Sequence, residues 1–245
     1  MESDVFPKPW VTNKPQGVSL FEMLSPDSPH KCSLLPKEKC LLMYLLARSF
    51  WEFYGSDWMT TPWTAENIHF VYERRDDTDG IYLHEPFIRY QFDGRKWKDS
   101  ASHAQGVLCH IKALGVILLE LELGYTIRSC LPGQYKPNGA PVDGSEVFWA
   151  TNLIQKADIK ELMADDLYLA INSCLNATPF KDFHSDVSRV RKTLDSHVVG
   201  HLKGLAQLYG KPPEAISFRK PKLIRQTSVS AYPQEASPAL TEQHQ

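Results

Sequence analysis

The stretch HIKALGVILLELELG, His110 to Gly124, constrains this chain more than any other. Its apolar residues Ile111, Leu114, Val116, Ile117, Leu118 and Leu121 leave a helix with no fully polar face. Such a helix either crosses a membrane or sits at the centre of a core. Lys112, Glu120 and Glu122 make it too charged, and its apolar run is too short, to span a bilayer. The reading is a buried core helix closed by Gly124, and a fold built around it.

The rest of the pattern supplies partners for that helix. PKEKCLLMYLLARSFWEFYG predicts a long helix, with Pro36 in its first turn and Gly55 at its stop. Its apolar residues cover almost every face, so it too is expected to be largely buried. VSLFEML, Val18 to Leu24, reads as a short amphipathic helix. IHFVYE and IYLHEPFI alternate with a period of two, and RRDDTDG between them predicts a β-hairpin turning at Asp79-Gly80. Further helices are expected near Glu146–Gln155, Lys160–Leu175 and Phe183–Tyr209. Asp93–His103 is charged and weakly patterned, and Leu131–Gly144 is a loop rich in Pro, Gly and Asn. Two short strands cannot form a sheet core, so the expected fold is mainly α with one β-hairpin leaning on the helices. Residues 1–17 read as an N-terminal arm, 18–209 as the domain and 210–245 as a disordered tail.

Composition narrows the partners. A chain of 245 residues suits one domain with tails, and 42% hydrophobic residues suffice for a core. A net charge of -2 argues against a general nucleic-acid binder, which needs a basic surface. No N-terminal stretch has the basic-then-apolar pattern of a signal peptide. The five cysteines are scattered and form no C-x-x-C pair, which suits reduced thiols in a cytoplasmic protein. By the same reasoning the sequon at Asn176 is a chance match. No membrane or cofactor is expected.

Few residues carry a chemical signal. His103, Cys109 and His110 lack the spacing of a tetrahedral metal site, so no metal is expected. Ser28 formally opens an S-x-x-K, but Pro29 breaks the helical turn that motif needs, and no G-x-S-x-G occurs. Trp51, Trp58 and Trp63 read as core and loop anchors, with a partner groove as the alternative for one of them. In the tail, Arg225 stands three residues before Ser228, a spacing that suits a phosphosite for a basophilic kinase; a plain solvated tail is the alternative.

Several segments together resemble the large lobe of a protein kinase over Val18 to Leu208. SLFEML resembles the segment after the kinase hinge, and CLLMYLLARSFWEFYGS the long helix before the catalytic loop. HIKALGVILLELELG is similar to the buried organising helix, and CLNATPFKDF to the C-L-x-x-D-P-x-x-R-P loop. With YGSDWMTTPWTAENIHF, the set looks like a fungal kinase-like domain of unknown function. That domain often follows a HeLo-like or prion-inhibition-type domain in proteins of fungal self/non-self recognition.

The resemblance implies a kinase large-lobe-like fold and a pseudokinase-like module that engages a protein partner and is not an enzyme. It puts Pro62 at the catalytic Asp, Asn67 at the retained catalytic-loop Asn, and Glu85-Pro86-Phe87 at the metal-binding D-F-G, with Pro86 stiffening a turn. Asn67 has a simpler role open to it, satisfying local backbone at a strand entry. The Asp that opens the buried helix becomes His110, which either braces the Thr61–Trp63 backbone or is a half-exposed helix-start residue. Lys98 and Asp182 stand at the two positions of the kinase Glu–Arg salt bridge with charges reversed; they either pair or are two solvated charges. The Gly-rich loop and phosphate-binding lysine would lie upstream, where only a short Pro-rich arm is found. The rival expectations are an atypical phosphotransferase using Glu85 and Asn67 for metal with a small lobe from another chain, or an incomplete gene product.

Overall fold

The computed structural model describes residues 17–56, 59, 62–75, 78–89, 103–130, 145–182, 186–209 and 218–219. The fold is mainly helical with a small antiparallel sheet.

The chain enters through strand β1, Gly17–Ser19, and turns at once into helix α1, Leu20–Leu24. A capping box makes the switch. Ser19 Oγ accepts from the Glu22 amide at 3.1 Å, and Glu22 Oε2 accepts from the Ser19 amide at 2.8 Å. The helix expected over Val18–Leu24 thus loses its first two residues to a strand. Helix α2, Pro36–Phe53, starts on Pro36, and Gly55 follows it at φ 75°, as the sequence predicts. It is not buried all round, however. Leu42, Met43, Leu46, Ala47 and Phe50 form one buried stripe, while Phe53 is exposed.

Strands β2, Ile68–Arg75, and β3, Thr78–Ile88, form the expected hairpin, but the sheet has four strands in the order β1-β2-β3-β4. Strand β4, Phe218–Arg219, comes from the stretch read as tail and pairs with Ile81 and Tyr82. The hairpin also turns earlier than expected. Arg75 pairs with Thr78, and Asp79 and Gly80 lie within β3 opposite Arg74 and Glu73. Burial sets that register: Ile68, Phe70, Ile81 and Leu83 are all buried, and a slip of one residue would turn them outward. Nor is there a turn at Glu85-Pro86-Phe87. These residues belong to β3, where five steps from Tyr82 to Phe87 face only two from His69 to Val71. Pro86 cannot donate to the ladder, which suits it to this bulge.

Helix α3, His103–Leu123, is the core element that its sequence predicts. Ile111, Leu114, Ile117, Leu118, Leu119 and Leu121 are each at most 1% exposed. Gly115 admits α7 closely, since a Cβ there would lie 2.8 Å from Cys174 Cβ. The short α4, Ile127–Cys130, was not foreseen. Helix α5, Ser145–Ile154, matches expectation. The single helix expected over Lys160–Leu175 is two, α6, Ala157–Leu162, and α7, Asp165–Asn176. Extended backbone at buried Met163 and at Ala164 separates them. The last helix begins at Val187, where Asp186 caps it, and runs as α8, Val187–Leu194, a π turn over Asp195–Val199, and α9, Gly200–Leu208. Among the described residues no helix is long and apolar enough to cross a membrane.

Candidate functional site

One face of α3 borders a cavity as well as the core. Cys109, Lys112, Ala113, Val116, Ile117 and Glu120 follow the spacing of a helical face and line a cavity of about 960 Å³. The opposite wall is α5, through Val147, Phe148 and Thr151. The loop Pro62–Glu66 closes one side, Thr126 and Arg128 an end, and Leu175 and Asn176 of α7 another part of the wall.

The loop is held from within. Asn67 Oδ1 accepts from the Thr64 amide at 2.8 Å, and its Nδ2 donates to Pro62 O at 3.3 Å. Trp63 is buried, edge-on to Phe50 at 5.5 Å. The Phe21 amide donates to Ala65 O at 2.9 Å and ties α1 to the loop.

A charge cluster stands at the far end. Arg128 reaches Glu66 at 2.6 Å and Glu146 at 2.8 Å, and its guanidinium carbon lies 5.9 Å from the Phe21 ring centroid. One arginine therefore braces the loop to α4 and α5. Behind it, Glu120 Oε1 accepts from the Ile127 amide at 2.8 Å, at the N-terminus of α4. Glu120 is 4% exposed, and burial pushes its pKa up to about 8. The Ile127 bond and Arg128 oppose that rise, while Glu146 and Glu66 add to it. The lining hydroxyls are engaged locally: Thr151 donates to Val147 O, and Thr126 accepts from the Ser129 amide. The ammonium of Lys112 makes no hydrogen bond or ion pair with any described residue. Chemically, the cavity offers an apolar wall, an ion-pair cluster of one arginine and two glutamates, and a lysine that pairs with no described residue.

The residues singled out in the sequence meet only in part. Pro62 lines the cavity, and Asn67 sits at the end of the same loop with its amide turned onto the loop backbone. His110 is buried on α3, at 6% exposure, rather than half-exposed. Glu85 is in β3, and its side chain lies outside the described residues. Asp182 is exposed after the 3₁₀ turn Thr178–Phe180. Lys98, Ser228 and Trp58 lie outside the described residues. Trp51 donates its Nε1–H to Arg191 O at 3.0 Å and anchors α2 to α8. Among the described residues no group of three or more His, Cys, Asp or Glu is arranged to hold a metal ion.

Sequence reasoning passed over Glu66, Arg128 and Glu146, which no local motif marks. Lys112 and Glu120 did carry a signal. Two charges eight residues apart in an apolar helix fall on one face, and that face is the cavity's.

Fold and cavity together define a helical domain with a small antiparallel sheet and a cleft beside its central helix. The chain belongs to the family described as a domain of unknown function, DUF7580, which matches residues 5–207. No curated protein and no solved structure matches it.

Proposed function

We propose that this chain is a catalytically inactive, kinase-like module that binds a protein partner in the cytoplasm, in a pathway related to fungal self/non-self recognition. The observation that carries the reading is the loop from Pro62 to Asn67. The resemblance puts a proline at the position where a kinase needs a carboxylate, and in the structure the amide of Asn67 holds the backbone of Thr64 and Pro62. Neither side chain is available to a metal-bound phosphate. The order of long helix, hairpin and central helix supports a large-lobe-like scaffold. Such a scaffold needs its buried helices for stability and leaves the cavity beside the loop open to a partner. Phe148, 63% exposed at that cavity, is a fitting contact for one.

Thermal denaturation with and without ATP and Mg²⁺ tests the inactive state. An unchanged melting temperature is expected. A rise that saturates with nucleotide would favour the rival reading, an atypical phosphotransferase, because a ligand of the native state stabilises it.

A further inference from the structure

The cavity between α3 and α5 contains one cation that no described residue neutralises. Lys112 lines it from α3. Its other charged groups are paired or buried, and the cluster of Arg128 with two glutamates keeps one net negative charge at the end away from Lys112. Glu66 and Glu146 both close on Arg128, whose guanidinium is thereby occupied. Glu120 accepts the Ile127 amide and, with a pKa of about 8, is mostly uncharged at neutral pH. Between Lys112 and Glu120 the α3 face is apolar, with Ala113, Val116 and Ile117 lining the cavity. Eight residues of helix separate those two ends by about 12 Å. Val147 and Phe148 supply the apolar wall opposite. A volume of about 960 Å³ is within the range of small-ligand sites, which pair apolar walls with a few fixed polar groups.

We propose that this cavity binds an amphipathic monoanion, a carboxylate carried on an apolar chain. Its acid group sits on Lys112, and its chain lies along Val116 and Ile117 toward Glu120. The cation makes the site selective, because Lys112 holds a carboxylate by charge as well as by hydrogen bond and a neutral head group by the hydrogen bond alone. The far end tolerates an apolar chain because Arg128 is already paired and Glu120 is buried. Ligand and protein partner would share this cavity and Phe148, but the ligand reading is tested on the chain alone and does not need a partner.

Decanoate, added below its micelle-forming concentration to the full chain, is the probe. Titration calorimetry is expected to give saturable one-to-one binding, and amide chemical-shift changes are expected to centre on α3 and α5. Decanol, which has the chain without the charge, is expected to bind far more weakly. Lys112→Met is expected to lower decanoate affinity about tenfold or more, and Lys112→Arg to retain it. Lys112→Gln serves as a second neutral variant, and thermal melts establish that each variant folds. Absence of decanoate binding, equal binding of decanol, unchanged affinity in both neutral variants, or shifts confined to another region would each overturn the proposal.

Discussion

Glu120 shows how one residue links the core to the cavity. Its carboxyl is buried and accepts a single backbone amide, so its folded pKa rises to about 8 from a usual 4.5. The folded chain therefore holds a proton that the unfolded chain releases between those values. The sign follows: this group's contribution is fully favourable below about pH 4.5 and is lost as pH rises to 8. The slope from this one group is at most about 1.4 kcal/mol per pH unit. Glu120→Gln keeps an acceptor for Ile127 and removes the titration. Urea melts from pH 5 to 9 are expected to show the variant gaining on the wild type as pH rises. A constant difference across that range would mean that Glu120 does not titrate as its burial implies.

Two glycines separate backbone strain from crowding. Gly55 and Gly124 both have φ of 75°, in the left-handed region. At Gly124 a Cβ would meet nothing within 4 Å, so Gly124→Ala carries the left-handed cost alone, about 1–2 kcal/mol. At Gly55 a Cβ would lie 2.7 Å from Val187 Cγ1 and 3.0 Å from its Cγ2, so turning the valine about χ1 still leaves a methyl in the way. Chemical denaturation is expected to show Gly55→Ala as clearly the more damaging. Both stop signals were legible in the sequence, because a helix ending on glycine is a local property. The contact with Val187 was not, since it joins residues far apart in the chain.

At the scale of elements, α3 was the most legible part. Apolar residues on all its faces required burial, and the structure buries them. Leu118→Ala is expected to destabilise by roughly 2–5 kcal/mol, because Leu118 is fully enclosed and its loss leaves a cavity. A measured loss below about 1 kcal/mol would mean that the site collapses freely, contrary to close packing. The sheet was read less well. Alternation identified β2 and β3, where Ile68, Phe70, Ile81 and Leu83 point into the core and His69 and Tyr82 between them are buried less completely. The short β1 and β4 carry too few residues to show a period, and pairing with longer strands defines them. The same limit explains the break between α6 and α7, where the apolar pattern runs on through buried Met163 while the backbone turns extended.

At the scale of the whole molecule, the cavity is assembled from segments far apart in the chain. Glu66, Glu120, Arg128 and Glu146 come together only where the loop, α3, α4 and α5 meet around the cavity, so no short window of sequence contains the cluster. The reading of lost chemistry is likewise a property of the assembly. Phosphoryl transfer needs a base, metal ligands and a cation on the phosphates, all in register. Replacing Pro62 by Asp supplies one carboxylate on an exposed loop position. It does not release Asn67, whose amide also bonds the Thr64 backbone. Pro62→Asp is therefore expected to show no transfer of phosphate from ATP to peptide or to itself, as is the wild type, when both are assayed with Mg²⁺ and radiolabelled ATP. Incorporation of label by the variant alone would mean that the remaining parts of a catalytic site are present and that a single side chain had silenced them.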